Sequence, residues 1–177
     1  MTETASDPEV TAYVGLGANA GDRAGALRAA VAALDATAGV RVEAVSPVYE
    51  TEAHRRPGQE PQPDHLNAVA EVRTTHAPDA LLGVFHALER LAGRDAEAPP
   101  WSPRPLDLDL LLYAGRVLET PTLTLPHPRL AERRFVLQPL ADLAPDLVVP
   151  GAERSVADLL AACPDAARVE PTDLALR

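Results

Sequence analysis

Apolar residues recur along this chain at two spacings, and the switches between them outline its elements. From Leu106 the alternation is strict: Leu106, Leu108, Leu110 and Leu112 share one parity, Asp107 and Asp109 the other. Successive strand side chains point to opposite faces, so the leucines are expected to pack inward and both carboxylates to project from the other face. Over residues 11–17, Ala12, Val14 and Leu16 alternate with Tyr13 and two glycines, which predicts a buried first strand. The turn Gly17-Ala18-Asn19-Ala20-Gly21-Asp22 leads into a helix with Asp22 as its N-cap. Leu27, Val31 and Leu34 give that helix one apolar stripe, and Gly39 lies past its end. A second strand is expected over 40–49, with a bulge or bend near Ala44 and Val45 where the apolar parity shifts.

Residues 51–64 carry three prolines, a glycine and no apolar period, so a long surface loop is expected, and loops of that length often act as lids. Leu66, Ala68, Ala70 and Val72 then predict a third strand. Pro78 suits a first helical position and opens a second helix, with Leu81, Leu82, Phe85 and Leu88 inward and Gly93 at its end. A charged, proline-terminated loop over 94–100 leads to the Leu106 strand. Beyond it, 114–116 read as a turn and 122–125 as a short strand, broken by Pro126-His127-Pro128. Two short helices are expected, over 132–141 and 156–162. This order predicts an α+β fold, a ferredoxin-like α/β sandwich with a mainly antiparallel sheet and helices packed on it. One domain is expected over 11–162, with tails at 1–10 and 163–177.

Composition narrows the chemistry. The chain has 177 residues and a net charge of −10, which argues against nonspecific nucleic-acid binding. All 16 basic residues are arginines, which excludes a P-loop lysine and a Schiff-base lysine. If phosphate is bound, arginine binds it. The single Cys163 excludes an internal disulfide and a cysteine metal cluster. No apolar run approaches the roughly 20 residues of a membrane span, and Met1 to Glu9 are acidic and polar. A cytoplasmic protein without a membrane partner is therefore expected.

The strongest chemical signal is the aspartate pair. Two aspartates on one strand face lie roughly 6.5–7 Å apart at Cα, and their carboxylates can converge on a hard cation such as Mg²⁺ together with substrate phosphates. A bound divalent ion would also relieve their mutual repulsion. Pro103 and Pro105 stiffen the approach and direct Arg104, a fixed-fork phosphate ligand, to the same region. An exposed strand face with two solvated carboxylates is the alternative.

Four stretches occur in a set order: residues 12–22; Gln62-Pro63-Asp64-His65-Leu66-Asn67-Ala68; residues 101–113, containing Pro103-Arg104-Pro105-Leu106-Asp107-Leu108-Asp109-Leu110-Leu111-Leu112-Tyr113; and Pro126-His127-Pro128 followed by residues 132–140. Together they strongly resemble the 6-hydroxymethyl-7,8-dihydropterin pyrophosphokinase family of folate biosynthesis over about residues 11–160. The resemblance implies transfer of pyrophosphate from ATP to the dihydropterin hydroxymethyl group, with AMP released and two Mg²⁺ ions bound. It implies that Asp107 and Asp109 hold the metals. Asn67 would read the pterin amide edge, Thr51 would contact the pterin, and Phe135 would form one wall around the ring. Glu89, Arg94, Trp101, Arg104, Thr124, His127 and Arg133 would lie on the nucleotide side, with Arg94 and Arg104 also counted as catalytic. ATP and the pterin are the implied partners, and a monomer is expected.

This chain departs from the family pattern at several positions. His65 stands where the second pterin wall is usually Tyr or Phe, Ala18 where a serine is usual and Ser102 where a glycine is usual. The third loop, Gly93-Arg94-Asp95-Ala96-Glu97, lacks the usual second arginine. Two readings of Arg55 and Arg56 in the long loop stay open: a solvated basic patch, which the sequence alone favours, and a reach to the phosphates in place of the absent arginine. The alternatives are a pterin-binding paralogue with weak catalysis, suggested by the acidic third loop, and a pyrophosphokinase for a modified pterin, suggested by His65.

Overall fold

The computed structural model describes residues 8–53, 58, 60–100 and 102–177. Strand β1 (Val10–Ala18) runs through the centre of the sheet and is followed by helix α1 (Arg23–Asp35). Asp22 caps α1, its carboxylate accepting from the Gly25 N–H, as the turn sequence predicts. The strand expected over 40–49 is two strands, β2 (Val40–Val45) and β3 (Tyr49–Thr51). Both lie along the same edge of β4 (His65–Thr74). Pro47 has no N–H to give a ladder, and the neighbouring Ser46 hydroxyl accepts from the Val69 N–H across the gap. The expected bulge falls slightly earlier, between Val42 and Ala44.

Helix α2 (Pro78–Leu91) opens on Pro78 and buries Leu81 and Phe85, and β5 (Asp107–Tyr113) follows. A hairpin of β6 (Leu118–Glu119) and β7 (Thr124–Leu125) leads to a 3-10 turn over Leu130–Glu132. Helix α3 (Arg134–Leu143) begins later than expected because that turn occupies the preceding residues. A second hairpin, β8 (Val148–Val149) with β9 (Arg154–Ser155), precedes α4 (Val156–Ala161), and β10 (Val169–Pro171) closes the order.

The main sheet runs β10-β3-β4-β1-β5, with β2 also on β4, and its pairings are antiparallel. β1 and β2 flank β4, and β4 and β5 flank β1, the ferredoxin-like arrangement expected from the element order. Core residues divide between the two faces. Ala12, Val14, Leu16, Leu108 and Leu110 pack with Leu27, Leu34, Leu81 and Phe85 of α1 and α2. Tyr13, Val69, Leu111 and Leu112 pack with Val136, Leu137 and Leu140 of α3 and with α4.

Two expectations need correction. The leucine parity of β5 does not last to its end. The pairing of β1 with β5 shifts between Tyr13 and Val14, so Leu110 faces Val14 while Leu112 faces Tyr13. One extra residue in a strand flips every side chain beyond it, so Leu112 joins the α3 face and Tyr113 the α1–α2 face. The segment expected as a C-terminal tail is packed: β10 pairs with β3, Leu176 joins the core, and Arg177 donates to the Val42 carbonyl at 2.8 Å. Without β10, the outer edge of β3 would present unpaired N–H and C=O groups.

Candidate active site

The antiparallel register determines what surrounds the two aspartates. Asp107 lies opposite Gly17 and Asp109 opposite Gly15, and on the other side of β1 the same glycines face Asn67 and Val69. Directly opposed residues share a face. A row of Asp107, Gly17 and Asn67 therefore crosses the sheet on the side away from α1 and α2, with no side chain in the middle. The space above these glycines is part of a cavity of about 360 Å³, lined by Thr51, His65, Asn67, Arg104, Asp107, Asp109, Arg133 and Phe135. All four expected pterin-side residues and both aspartates thus meet in one place. A Cβ on Gly17 would approach the Asn67 Oδ1 to 2.8 Å.

Asn67 and Thr51 are almost fully buried, and the Asn67 amide donates to the Thr51 hydroxyl at 2.6 Å. That bond fixes the amide plane and leaves one acceptor oxygen and one N–H for a planar polar edge. Phe135, at the start of α3, lines the cavity and carries the Arg133 guanidinium 5.5 Å from its ring centroid. His65 lines the cavity from the end of β4, opposite Thr51 in the ladder.

At the other end, one Asp107 oxygen accepts from Arg94 at 3.0 Å and from Arg104 at 2.9 Å. Arg94 also pairs with Glu89 at 2.6 Å. Glu89 is buried within α2, accepts the Leu108 N–H at 2.8 Å, and burial raises its carboxyl above the usual range. Asp109 is pushed up to about 6, chiefly by burial and next by the Asp107 charge, with Arg133 opposing. Arg133 is in turn lowered by burial and by Arg129, and its Nε is buried with no hydrogen-bond partner among the described residues. His127 is lowered to about 4 by burial, then by Arg133 and Arg129. Its ring Nδ1 accepts the Arg129 backbone N–H at 3.2 Å, and the His127 backbone N–H donates to the Leu111 carbonyl at 2.8 Å.

Glu89, Arg94 and Arg104 also line a second cavity of about 610 Å³ beneath the loop after α2, with His86 and Arg90. Of the expected nucleotide-side residues, Thr124 is exposed on β7, and neither it nor His127 is among the residues lining the two cavities. Trp101, Arg55 and Arg56 lie outside the described residues. Sequence reading assigned no role to Gly15, Gly17, Asn19, Gln62, His86 or Arg129. The glycines could have been found, because they share the parity that faces the aspartates. Asn19 and Gln62 are joined to the site by contacts distant in sequence, with Arg104 and with each other.

The family model described as 7,8-dihydro-6-hydroxymethylpterin-pyrophosphokinase (HPPK) matches residues 13–145. A 2-amino-4-hydroxy-6-hydroxymethyldihydropteridine pyrophosphokinase of Pseudomonas aeruginosa is 42% identical over 152 residues, covering 86% of this chain and 91% of its own. Its namesake from Synechocystis sp. is 41% identical over 149 residues, covering 84% of this chain and 74% of its own. Among solved structures, a Plasmodium falciparum HPPK-DHPS superposes with a TM-score of 0.68 at 12% identity over 90% of this chain. An HPPK-DHPS in complex with substrates gives 0.66 at 12% identity over 88%. This chain spans 46% and 43% of those two solved chains, and the likeness to them is one of fold.

Proposed function

Because the chain belongs to the 7,8-dihydro-6-hydroxymethylpterin-pyrophosphokinase family, we propose that it transfers pyrophosphate from ATP to the hydroxymethyl group of 6-hydroxymethyl-7,8-dihydropterin. The observation that carries this reading is the row across the sheet: Asp107 and Asp109 at one end, glycines between, and the Thr51-oriented Asn67 amide at the other. In the reaction the pterin hydroxyl oxygen bonds to the β-phosphorus, the bond from that phosphorus to the α,β-bridging oxygen breaks, and AMP leaves. The hydroxyl proton is lost to solvent or a nearby base.

The residues divide this work by chemistry. Asn67 pairs with the amide edge of the pterin, Thr51 holds that amide in plane, and Phe135 and His65 take the faces of the ring. Arg94 and Arg104 exchange part of their pairing with Asp107 for phosphate oxygens, to which a guanidinium donates in a fixed fork. The unpaired Arg133 Nε suits a further anionic oxygen. His127, Glu89, Trp101 and Thr124 complete the nucleotide side, His127 and Glu89 by supporting groups that touch it.

Asp107 and Asp109 fit divalent cations. They are two carboxylate ligands on one strand face, and a bound cation would offset the repulsion between them, the second cause after burial of the raised Asp109 carboxyl. Two Mg²⁺ ions are the expected pair. When bound they supply charge neutralisation and in-line alignment of the transferring group. Among the described residues no helix is long and apolar enough to cross a membrane. A cytoplasmic monomer is the state we propose.

The test is AMP release from ATP, Mg²⁺ and 6-hydroxymethyl-7,8-dihydropterin, with the pterin diphosphate identified by mass. Stoichiometric AMP and pterin diphosphate are expected. Pterin binding without AMP formation would replace the reading with that of a binding paralogue.

A further inference from the structure

Asn19 is 1% exposed, in the turn between β1 and α1, and it touches connections on both sides of the cavity. Its backbone N–H donates to the Arg104 carbonyl at 3.0 Å, and its side-chain Oδ1 accepts the Arg104 N–H at 2.8 Å. Asn19 thus closes a two-bond ring with the Arg104 backbone, as a strand partner would. Its Nδ2 points the other way, to the Gln62 Oε1 at 3.4 Å and the Pro63 carbonyl at 3.3 Å. Gln62 and Arg104 both line the cavity.

An amide can do this where other side chains cannot. Spanning two backbone segments needs an acceptor and a donor on one rigid planar group, and Asn is the shortest side chain with both. The Arg104 contacts are short and the Gln62–Pro63 contacts long. One side is therefore held firmly and the other loosely. Arg104 sits among prolines, with Pro103 and Pro105 as neighbours that have no N–H of their own. Its backbone is consequently anchored by Asn19 more than by ladder bonds, and the guanidinium that meets Asp107 inherits that placement.

We infer that Asn19 is a positioning residue for Arg104, and secondarily for the Gln62–Pro63 segment, in the reaction proposed above. It touches neither the reacting atoms nor the phosphates. Losing it would displace Arg104 rather than remove it, and misplacing a phosphate-aligning group by about 1 Å costs on the order of 10²-fold in rate.

The experiment is a double-mutant cycle read by kinetics and hydrogen exchange on the full chain. Asn19→Ala is expected to lower kcat for AMP release by about tenfold to a hundredfold, with a smaller change in KM for ATP. In an Arg104→Ala background the same change should cost less than about threefold, because residues that act as a unit are not additive. Asn19→Asp keeps the acceptor for the Arg104 N–H, so it should recover most of kcat while raising KM for the pterin through the lost donor to Gln62 and Pro63. Independently of any activity, the Arg104 amide should exchange faster in Asn19→Ala than in the parent while the amides of β4 keep their protection. Full additivity with Arg104→Ala, or unchanged exchange at Arg104, would overturn the inference. This inference rests on the proposed function for its kinetic arm only. A parent protein that releases no AMP would defeat that function, and the exchange result would still decide the placement.

Discussion

Asn67, Asp107 and Asp109 stand on paired strands, whereas Arg94 and Arg104 stand on connections and reach the same carboxylate from outside the sheet. The strand residues owe their positions to register: Asn67 is paired on both sides, with β1 and β3, and Asp107 and Asp109 are paired with β1 from the edge strand β5, so a one-residue slip would move them to the α1–α2 face. The arginines owe theirs to partners. Arg94 is held by Glu89 and Asp107, and Arg104 by Asp107 and, through its backbone, by Asn19. The carboxylates are therefore pre-organised by the fold. The guanidiniums are pre-organised only as far as their acidic neighbours allow, and phosphate can compete for them. Rigid ligands on the sheet and exchangeable donors on the connections suit a site whose substrate arrives with its own charge.

The largest effect should come from the rigid side. Asp107→Ala and Asp109→Ala should each lower AMP release by about 10³-fold or more, since each removes a ligand for charge stabilisation in the transition state. Both variants should fold, because removing one carboxylate relieves the repulsion that helps push Asp109 up to about 6. Rapid-quench assays with circular dichroism on the same samples check both statements. If Arg94→Ala costs more than either aspartate change, the division between fixed ligands and exchangeable donors is wrong.

The next effect tests the empty middle of the row. Gly17→Ala would place a methyl group 2.8 Å from the Asn67 Oδ1, so the amide must swing off its Thr51 bond. Pterin affinity should fall about tenfold to a hundredfold, since the polar edge then meets a misaligned partner. The melting temperature should move little, because the displaced atom ends a side chain at the cavity. Calorimetric titration with the pterin decides it. An unchanged affinity would mean that Asn67 does not read the ligand.

How far the sequence reveals this molecule depends on whether a contact is local. The alternation from Leu106 to Leu110 is local, and it put both aspartates on the correct face. The shift at Leu111 is not, because it belongs to the pairing with β1 and leaves the leucine run unbroken. Pro78 and Asp22 announce their helices through backbone chemistry that works anywhere. Val169–Pro171 is a three-residue strand that exists because β3 offers an open edge, and no three-residue pattern announces that. The site divides the same way. Asp107, Asp109 and Asn67 were legible from pattern and resemblance, while the Asn19–Arg104 ring joins residues 85 positions apart.

A smaller effect separates the nucleotide side from the sheet by pH. Folded His127 is lowered to about 4 from its ordinary 6.5, chiefly by burial. Between those values the unfolded chain binds the extra proton, so this contribution is complete above about pH 6.5 and is lost as pH falls toward 4. Without metal or nucleotide, the parent should lose about 1–3 kcal/mol more than His127→Gln between pH 7 and 4.5. Urea titrations at the two pH values measure this. Parallel losses in both proteins would place His127 in a better-solvated setting than its contacts indicate.

The smallest effect is expected at His65, where a strand residue does work that depends on ring area rather than on register. His65 lies opposite Thr51 and lines the cavity that Phe135 also lines, so an imidazole stands where a pterin face must pass. An imidazole offers less contact area than a phenol ring and can take up a proton. His65→Tyr should therefore keep pterin affinity or tighten it. His65→Ala should weaken binding by about 0.5–1.5 kcal/mol beyond the simple loss of area. Both changes should leave kcat nearly untouched, because ring stacking holds the substrate and the transition state alike, and uniform binding appears in KM. Running the same variants against pterins differing at the 6-substituent sharpens the comparison. If His65→Tyr improves the hydroxymethyl pterin but harms a bulkier one, the imidazole is a specificity element on an otherwise rigid floor. If His65→Ala binds every pterin as the parent does, His65 does not contact the ring and Phe135 is left as the wall these residues supply.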